Sequence, residues 1–191
     1  KVEQLLQFKK ARIPGSGFEN VQLNGSEDFS HFGLTGDISG WKGITKDQCL
    51  QALSTGNVHD SKWPTLTFDG TEDFSKAKFD YMNMSYFKFN GITAEQFALS
   101  ASLNHTTLPE VDFAGVKGFT QDIRFADLTR CTGLTASQIT SAKDWSSIRI
   151  TQAQYESMKV GLAAAIPKGK YKKITVKGET SIHYMVIHSS N

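Results

Sequence analysis

Five histidines and two cysteines are the side chains of this 191-residue chain that could hold a metal or attack an electrophile. His31, His59, His105, His183 and His188 stand at none of the spacings that bring two ligands to one ion. His183 and His188 are five apart, which on a strand puts them on opposite faces. Cys49 is the candidate nucleophile. It follows Thr45-Lys46-Asp47-Gln48, a motif that opens a helix, and a helix N-terminus lowers a thiol's pKa. A free cysteine at such a position is more often a small buried hydrophobe, and Cys49 and Cys131 are both read that way. The chain carries no G-x-S-x-G, no P-loop and no G-x-G-x-x-G. The expectation is a chain with no catalytic constellation, no cofactor and no metal.

Binding chemistry is better represented. Net charge is +2, yet residues 159–177 hold six lysines and no acid. The remainder is mildly acidic, with fifteen basic against nineteen acidic residues. Lys168, Lys170, Lys172 and Lys173 form the densest part of the basic segment, a field that suits phosphate, anionic lipid or an acidic protein. The plain alternative is a solvated turn. Only Tyr171 is interleaved with these lysines, so sequence-specific nucleic-acid binding is not expected.

Composition closes off several classes. Apolar content of 39% and charged content of 21% exclude wholesale disorder. Two cysteines cannot build a disulfide framework, which fits a reducing cytosolic setting. The apolar run Val160–Ile166 is far too short to span a membrane. The chain opens at Lys1 and not at methionine, which reads as a trimmed piece of a longer protein.

Internal repetition sets the elements that would position these groups. Leu23-Asn24-Gly25-Ser26-Glu27-Asp28-Phe29-Ser30 matches Phe68-Asp69-Gly70-Thr71-Glu72-Asp73-Phe74-Ser75 at five of eight positions. The motif T-x-x-Q occurs at Thr45, Thr93, Thr135 and Thr151. In this capping box the threonine hydroxyl accepts from the backbone three residues on and the glutamine reaches back. Each copy should open a helix, with Cys49, Phe97, Ile139 or Tyr155 turned inward. Between the helices the apolar period is five. Phe74, Phe79, Met84 and Phe89 form one series, and Ala77, Met82, Phe87 and Ile92 a second. Shorter stretches are Ile13-Phe18-Leu23, Ile123-Leu128 and Trp145-Ile150.

The blocks Glu72–Lys76, Ala77–Tyr81, Met82–Tyr86 and Phe87–Gly91, and above all Ala126-Asp127-Leu128-Thr129-Arg130, resemble successive repeats of the pentapeptide-repeat family. The resemblance implies a mainly β fold, a right-handed four-sided β-helix interrupted by the T-x-x-Q helices. It implies an N-terminal cap over 1–14, a solenoid over 15–151 and a C-terminal helix and hairpin cap over 152–191. The alternative is an α/β solenoid of leucine-rich-repeat type, whose period of roughly 20–29 residues fits poorly against capping-box spacings of 48 and 42. On the flat sides of such a solenoid Lys76, Lys78, Tyr81, Tyr86 and Lys88 would face outward and suit protein recognition.

The same resemblance implies the expected function, a non-catalytic protein-binding scaffold. Pentapeptide-repeat proteins include domains of bacterial effectors secreted into host cells, where they act on host proteins and contribute to virulence. Some of these are the substrate-recognition part of larger HECT-like ubiquitin ligases. A further alternative is gyrase binding by DNA mimicry, which the weakly charged body argues against.

Overall fold

The computed structural model describes residues 12–14, 21–31, 33–58, 61–84, 89–166, 171–177 and 182–188. Of the N-terminal cap expected over 1–14, residues 1–11 lie outside them. Among the described residues there are four helices: α1 Lys46–Thr55, α2 Ala94–Leu99, α3 Ala136–Thr140 and α4 Gln152–Ala164. All four begin at the expected threonine, and all four capping boxes are complete. Cys49, Phe97, Ile139 and Tyr155, the residues after the boxes, are buried.

Each box does a second job that local sequence reasoning does not show. The glutamine oxygen accepts from the threonine N–H, and the glutamine Nε2 donates to backbone carbonyls of an earlier segment. Gln96 reaches Glu72 O at 2.9 Å. Gln138 reaches Phe113 O and Val116 O, both at 2.7 Å. Gln154 reaches Leu128 O at 3.0 Å and Cys131 O at 2.6 Å. Gln48 reaches Glu27 O at 3.1 Å and the Glu27 carboxylate at 2.8 Å. A glutamate would cap equally well but could not donate, so the donor is what ties each helix start to the segment beneath.

The strands are β1 Arg12–Pro14, β2 Gly33–Asp37, β3 Ser61–Lys62, β4 Leu66–Thr67, β5 Phe89–Asn90, β6 Arg149–Thr151, β7 Tyr171–Lys177 and β8 Ile182–His188. They form three small sheets, ordered β1-β2-β3, β4-β5 and β6-β7-β8. All pairs are parallel except β7 with β8. Strand β7 begins at Tyr171, so Lys172 and Lys173 stand in a strand, paired in register with Ile187 and Val186, and not in a turn.

This arrangement overturns the expected fold class. The described residues form neither a pentapeptide-type β-helix nor a leucine-rich-repeat solenoid. Among the described residues three of the strands are only two residues long, the sheets are small, and four helices accompany them. The physical reason lies at the corners. Between the five-spaced apolar residues the chain turns through Tyr81, His105, Phe125 and Ser147, all with φ near +60°. A left-handed residue ends an extended run. What remains is single-residue parallel pairing: Lys78 with Ser102, Ser102 with Asp122, and Asp122 with Asp144. Asn83, Thr107, Asp127 and Arg149 form a second such row.

The apolar period does mark the inward residues. Phe74, Phe79 and Met84 are buried in one core, and Phe89 packs against it. Phe74 and Phe79 stack at 6.0 Å, and Phe79 meets Phe97 of α2 at 5.4 Å. Burial of each such ring is worth about 1.5–3 kcal/mol. The core thus holds the turns between Phe79 and Met82, Leu103 and Thr106, and Ile123 and Ala126 at fixed spacing.

Candidate partner-binding surface

Those three turns share one geometry. In each, the fourth residue's N–H donates to the first residue's carbonyl, at 3.1 Å for Met82 to Phe79, 3.2 Å for Thr106 to Leu103 and 3.1 Å for Ala126 to Ile123. The third residue is left-handed: Tyr81 at φ 59°, His105 at 56° and Phe125 at 58°. Glycine is the unstrained occupant of that position. The neighbouring turn from Phe113 to Val116 has it, as Gly115 at φ 82°. A side chain there costs roughly 1–2 kcal/mol. Three aromatic residues in a row accept that cost.

They also touch one another. The Tyr81 and His105 rings lie 4.6 Å apart and 12° from parallel. His105 and Phe125 lie 4.2 Å apart and 13° from parallel. Backbone bonds set the spacing. Tyr81 N donates to Asn104 O at 3.0 Å, and His105 N to Arg124 O at 2.8 Å. Stacked strands bring such segments to about 4.8 Å, close to the preferred separation of offset rings. The row is nonetheless exposed, with Tyr81 at 57% and Phe125 at 47%.

One shoulder of the row is polar, and its carboxylates are paired, while the buried Asn104 Oδ1 has no hydrogen-bond partner among the described residues. Asp80 accepts from the Ser102 hydroxyl and from Asn104 N. Asp122 accepts from Arg124 N and Nε, and the Arg124 guanidinium lies 2.7 Å from Asp122 and 3.7 Å from Asp144. Burial works against ionisation of Asp122, but the Arg124 hydrogen bonds and charge outweigh it and hold the carboxyl below its usual range. On the other shoulder Arg149 pairs with Asp127 at 3.2 Å. An apolar strip flanked by paired charges has the anatomy of an interface core and rim.

Of the residues singled out from sequence, Tyr81 heads the row. Lys78 is exposed, and its side chain lies near Gly56 at the end of α1. Lys76 is not part of the row. It lines a shallow depression of about 410 Å³ with Asp47, Gln51, Ser54 and Asp73. Tyr86, Lys88, Lys168 and Lys170 lie outside the described residues. Lys172 and Lys173 belong to β7, which pairs with β6 from Arg149 onward. His105 and Phe125 were not anticipated as partners of Tyr81. The available signal was position: each stands two residues after an inward residue, namely Phe79, Leu103 and Ile123.

The remaining chemical candidates are placed as follows. His31 sits 3.8 Å from Asp28 at the surface, His59 lies outside the described residues, and His183 and His188 are in β8. Among the described residues no three His, Cys, Asp or Glu side chains converge as metal ligands. No described helix is long and apolar enough to cross a membrane. Both thiols are free and buried. Burial pushes Cys49 well above its ordinary value and Cys131 up to about 12. The native protein at neutral pH should therefore resist iodoacetamide, with both cysteines labelled only after unfolding in urea. Labelling of native Cys49 at the rate of a model thiol would restore it as a nucleophile.

Comparison with protein-family models, with characterised proteins and with solved structures finds no match for this chain, so the assignment of a role rests on the geometry of this surface.

Proposed function

We propose that this chain is a non-catalytic protein-binding module whose contact surface is the Tyr81–His105–Phe125 row. One observation carries the reading. Three large rings are held exposed in left-handed turns where glycine would be unstrained. Strain kept against exposure is a mark of function more than of folding. His105 is covered on both faces by its neighbours, so open faces remain only at the two ends of the row, which disfavours a platform for a run of stacked nucleic-acid bases. Rigid aromatic residues are the commonest anchors of protein interfaces.

The test replaces Tyr81 and Phe125 by asparagine, which tolerates the left-handed region better than any other non-glycine residue. Tyr81→Asn/Phe125→Asn should keep its melting temperature within a few degrees, because relieved strain offsets lost stacking. The same variant should lose the proteins that the wild-type chain retains from a cell lysate. Equal recoveries from both, or nothing retained by either, would remove the proposal.

A further inference from the structure

The left-handed row does not end at Phe125. Phe125 N donates to Ser146 O at 3.1 Å, as Tyr81 N does to Asn104 O and His105 N to Arg124 O. Ser147 therefore stands to Phe125 as Phe125 stands to His105, and its φ of 60° matches the other three. The fourth rung thus has the backbone of the series but a hydroxymethyl group where the others carry rings. Among the described residues Phe125 stacks on one ring, that of His105. By the backbone pairing the next rung after Phe125 is half-buried Ser147, and Phe125 remains 47% exposed.

We infer that the outer face of Phe125, above Ser147, receives an aromatic side chain from the bound partner, which completes the row as its fourth ring. This rests on the reading of the row as a protein-binding surface. The shape of the guest follows from the 4.2–4.6 Å, near-parallel stacking already set by the first three rungs. Asp122 and Asp144 share Arg124, and Asp127 faces Arg149, so each of these three carboxylates already has one of the two guanidiniums within reach. A guest guanidinium would have to share a carboxylate, whereas a neutral ring needs only the near-parallel stacking geometry of the row.

The probe is N-acetyl-tryptophanamide at millimolar concentration, followed by amide NMR shifts, with N-acetyl-argininamide as the cationic control. The expected result is a saturable shift of the Phe125, Ser146 and Ser147 signals with the ring probe and none with the cation. Ser147→Tyr should fill the place from within the chain, as Tyr81 shows that tyrosine can occupy this backbone, and should weaken the probe at least tenfold. Phe125→Asn keeps Ser147 and removes the stacking face, so it should abolish the shift even if Ser147→Tyr were to fold poorly. No shift in the wild type, an unchanged shift in either variant, or a shift caused only by the cation would overturn the inference. If the shift is absent while Tyr81→Asn/Phe125→Asn still loses the captured partner, the fourth-ring site fails and the binding surface stands. If capture is indifferent to that double substitution, the surface itself fails.

Discussion

Gln138→Glu should destabilise the protein by about 3–5 kcal/mol at neutral pH, the largest effect expected of any isosteric change in the chain. The wild-type amide oxygen accepts from Thr135 N at 2.7 Å, and a carboxylate oxygen would do the same. The loss lies on the other side. Nε2 donates to the carbonyls of Phe113 and Val116, which close one turn, and the side chain is only 4% exposed. A carboxylate there takes the amide donor from the Val116 carbonyl, leaves the Phe113 carbonyl only the Val116 N–H, and sets an anionic oxygen against both. Each buried acceptor left unsatisfied costs about 1–3 kcal/mol, and a charge more. The pH dependence follows with a definite sign. Burial and the facing carbonyls disfavour the ionised form, so the variant's folded pKa is raised above its unfolded value of about 4.3. The defect is then smallest below that unfolded pKa, where a protonated glutamate can donate once, and grows as pH rises through the folded value. Urea unfolding of variant and wild type at pH 4 and pH 7 measures it. A penalty that is equal at both, or below about 1 kcal/mol at pH 7, would mean that the amide donor does not hold α3 to the turn beneath it.

The same glutamines show what was legible in the sequence and what was not. T-x-x-Q is a local signal, because the threonine and the glutamine bond to backbone within three residues, and all four helix starts stood where it put them. The contacts of Nε2 run 21–26 residues back along the chain. No local pattern contains them. The five-residue apolar period likewise marked Phe74, Phe79 and Met84 as inward, because period records direction. It did not record whether the residues between are extended. Tyr and Phe are poor candidates for the left-handed region, and His is only enriched there and not diagnostic of it, so these corners read as strand and the chain as a β-helix. The candidate surface was half visible for the same reason. Tyr81 could be chosen as an outward aromatic residue, whereas its neighbours His105 and Phe125 are 24 and 44 residues away in sequence. They meet only through pairing across segments. The C-terminal lysine candidates rested on charge density, and Lys168 and Lys170 lie outside the described residues.

Gly91→Ala and Gly115→Ala should differ several-fold in cost although both glycines have nearly the same backbone. Gly91 has φ 79° and Gly115 φ 82°, so an alanine at either pays the same left-handed strain of roughly 1–2 kcal/mol. Against that, alanine restricts the unfolded chain and returns about 0.4–1 kcal/mol. At Gly115 nothing lies within 4 Å of the position a Cβ would take. The net loss there should be about 1 kcal/mol or less. At Gly91 the added carbon would fall well inside contact distance of the Phe68 carbonyl. That carbonyl belongs to backbone which cannot swing aside, because Phe68 N is bonded to Asn90 O at 2.8 Å and β4 pairs with β5 in the same register. Relief requires the two segments to part, which breaks that bond and loosens the Phe68 contacts with Phe74 at 5.2 Å and Phe89 at 5.6 Å. Overpacking and a lost pairing together add about 2–4 kcal/mol to the strain. For a chain of this size that is a fall in melting temperature of roughly 10 °C, against one or two degrees for Gly115→Ala. Parallel calorimetry of the two variants decides it. Similar melting temperatures would mean that positive φ alone governs both sites, and that the close approach of the Gly91 segment to the Phe68 backbone is not a constraint on the fold.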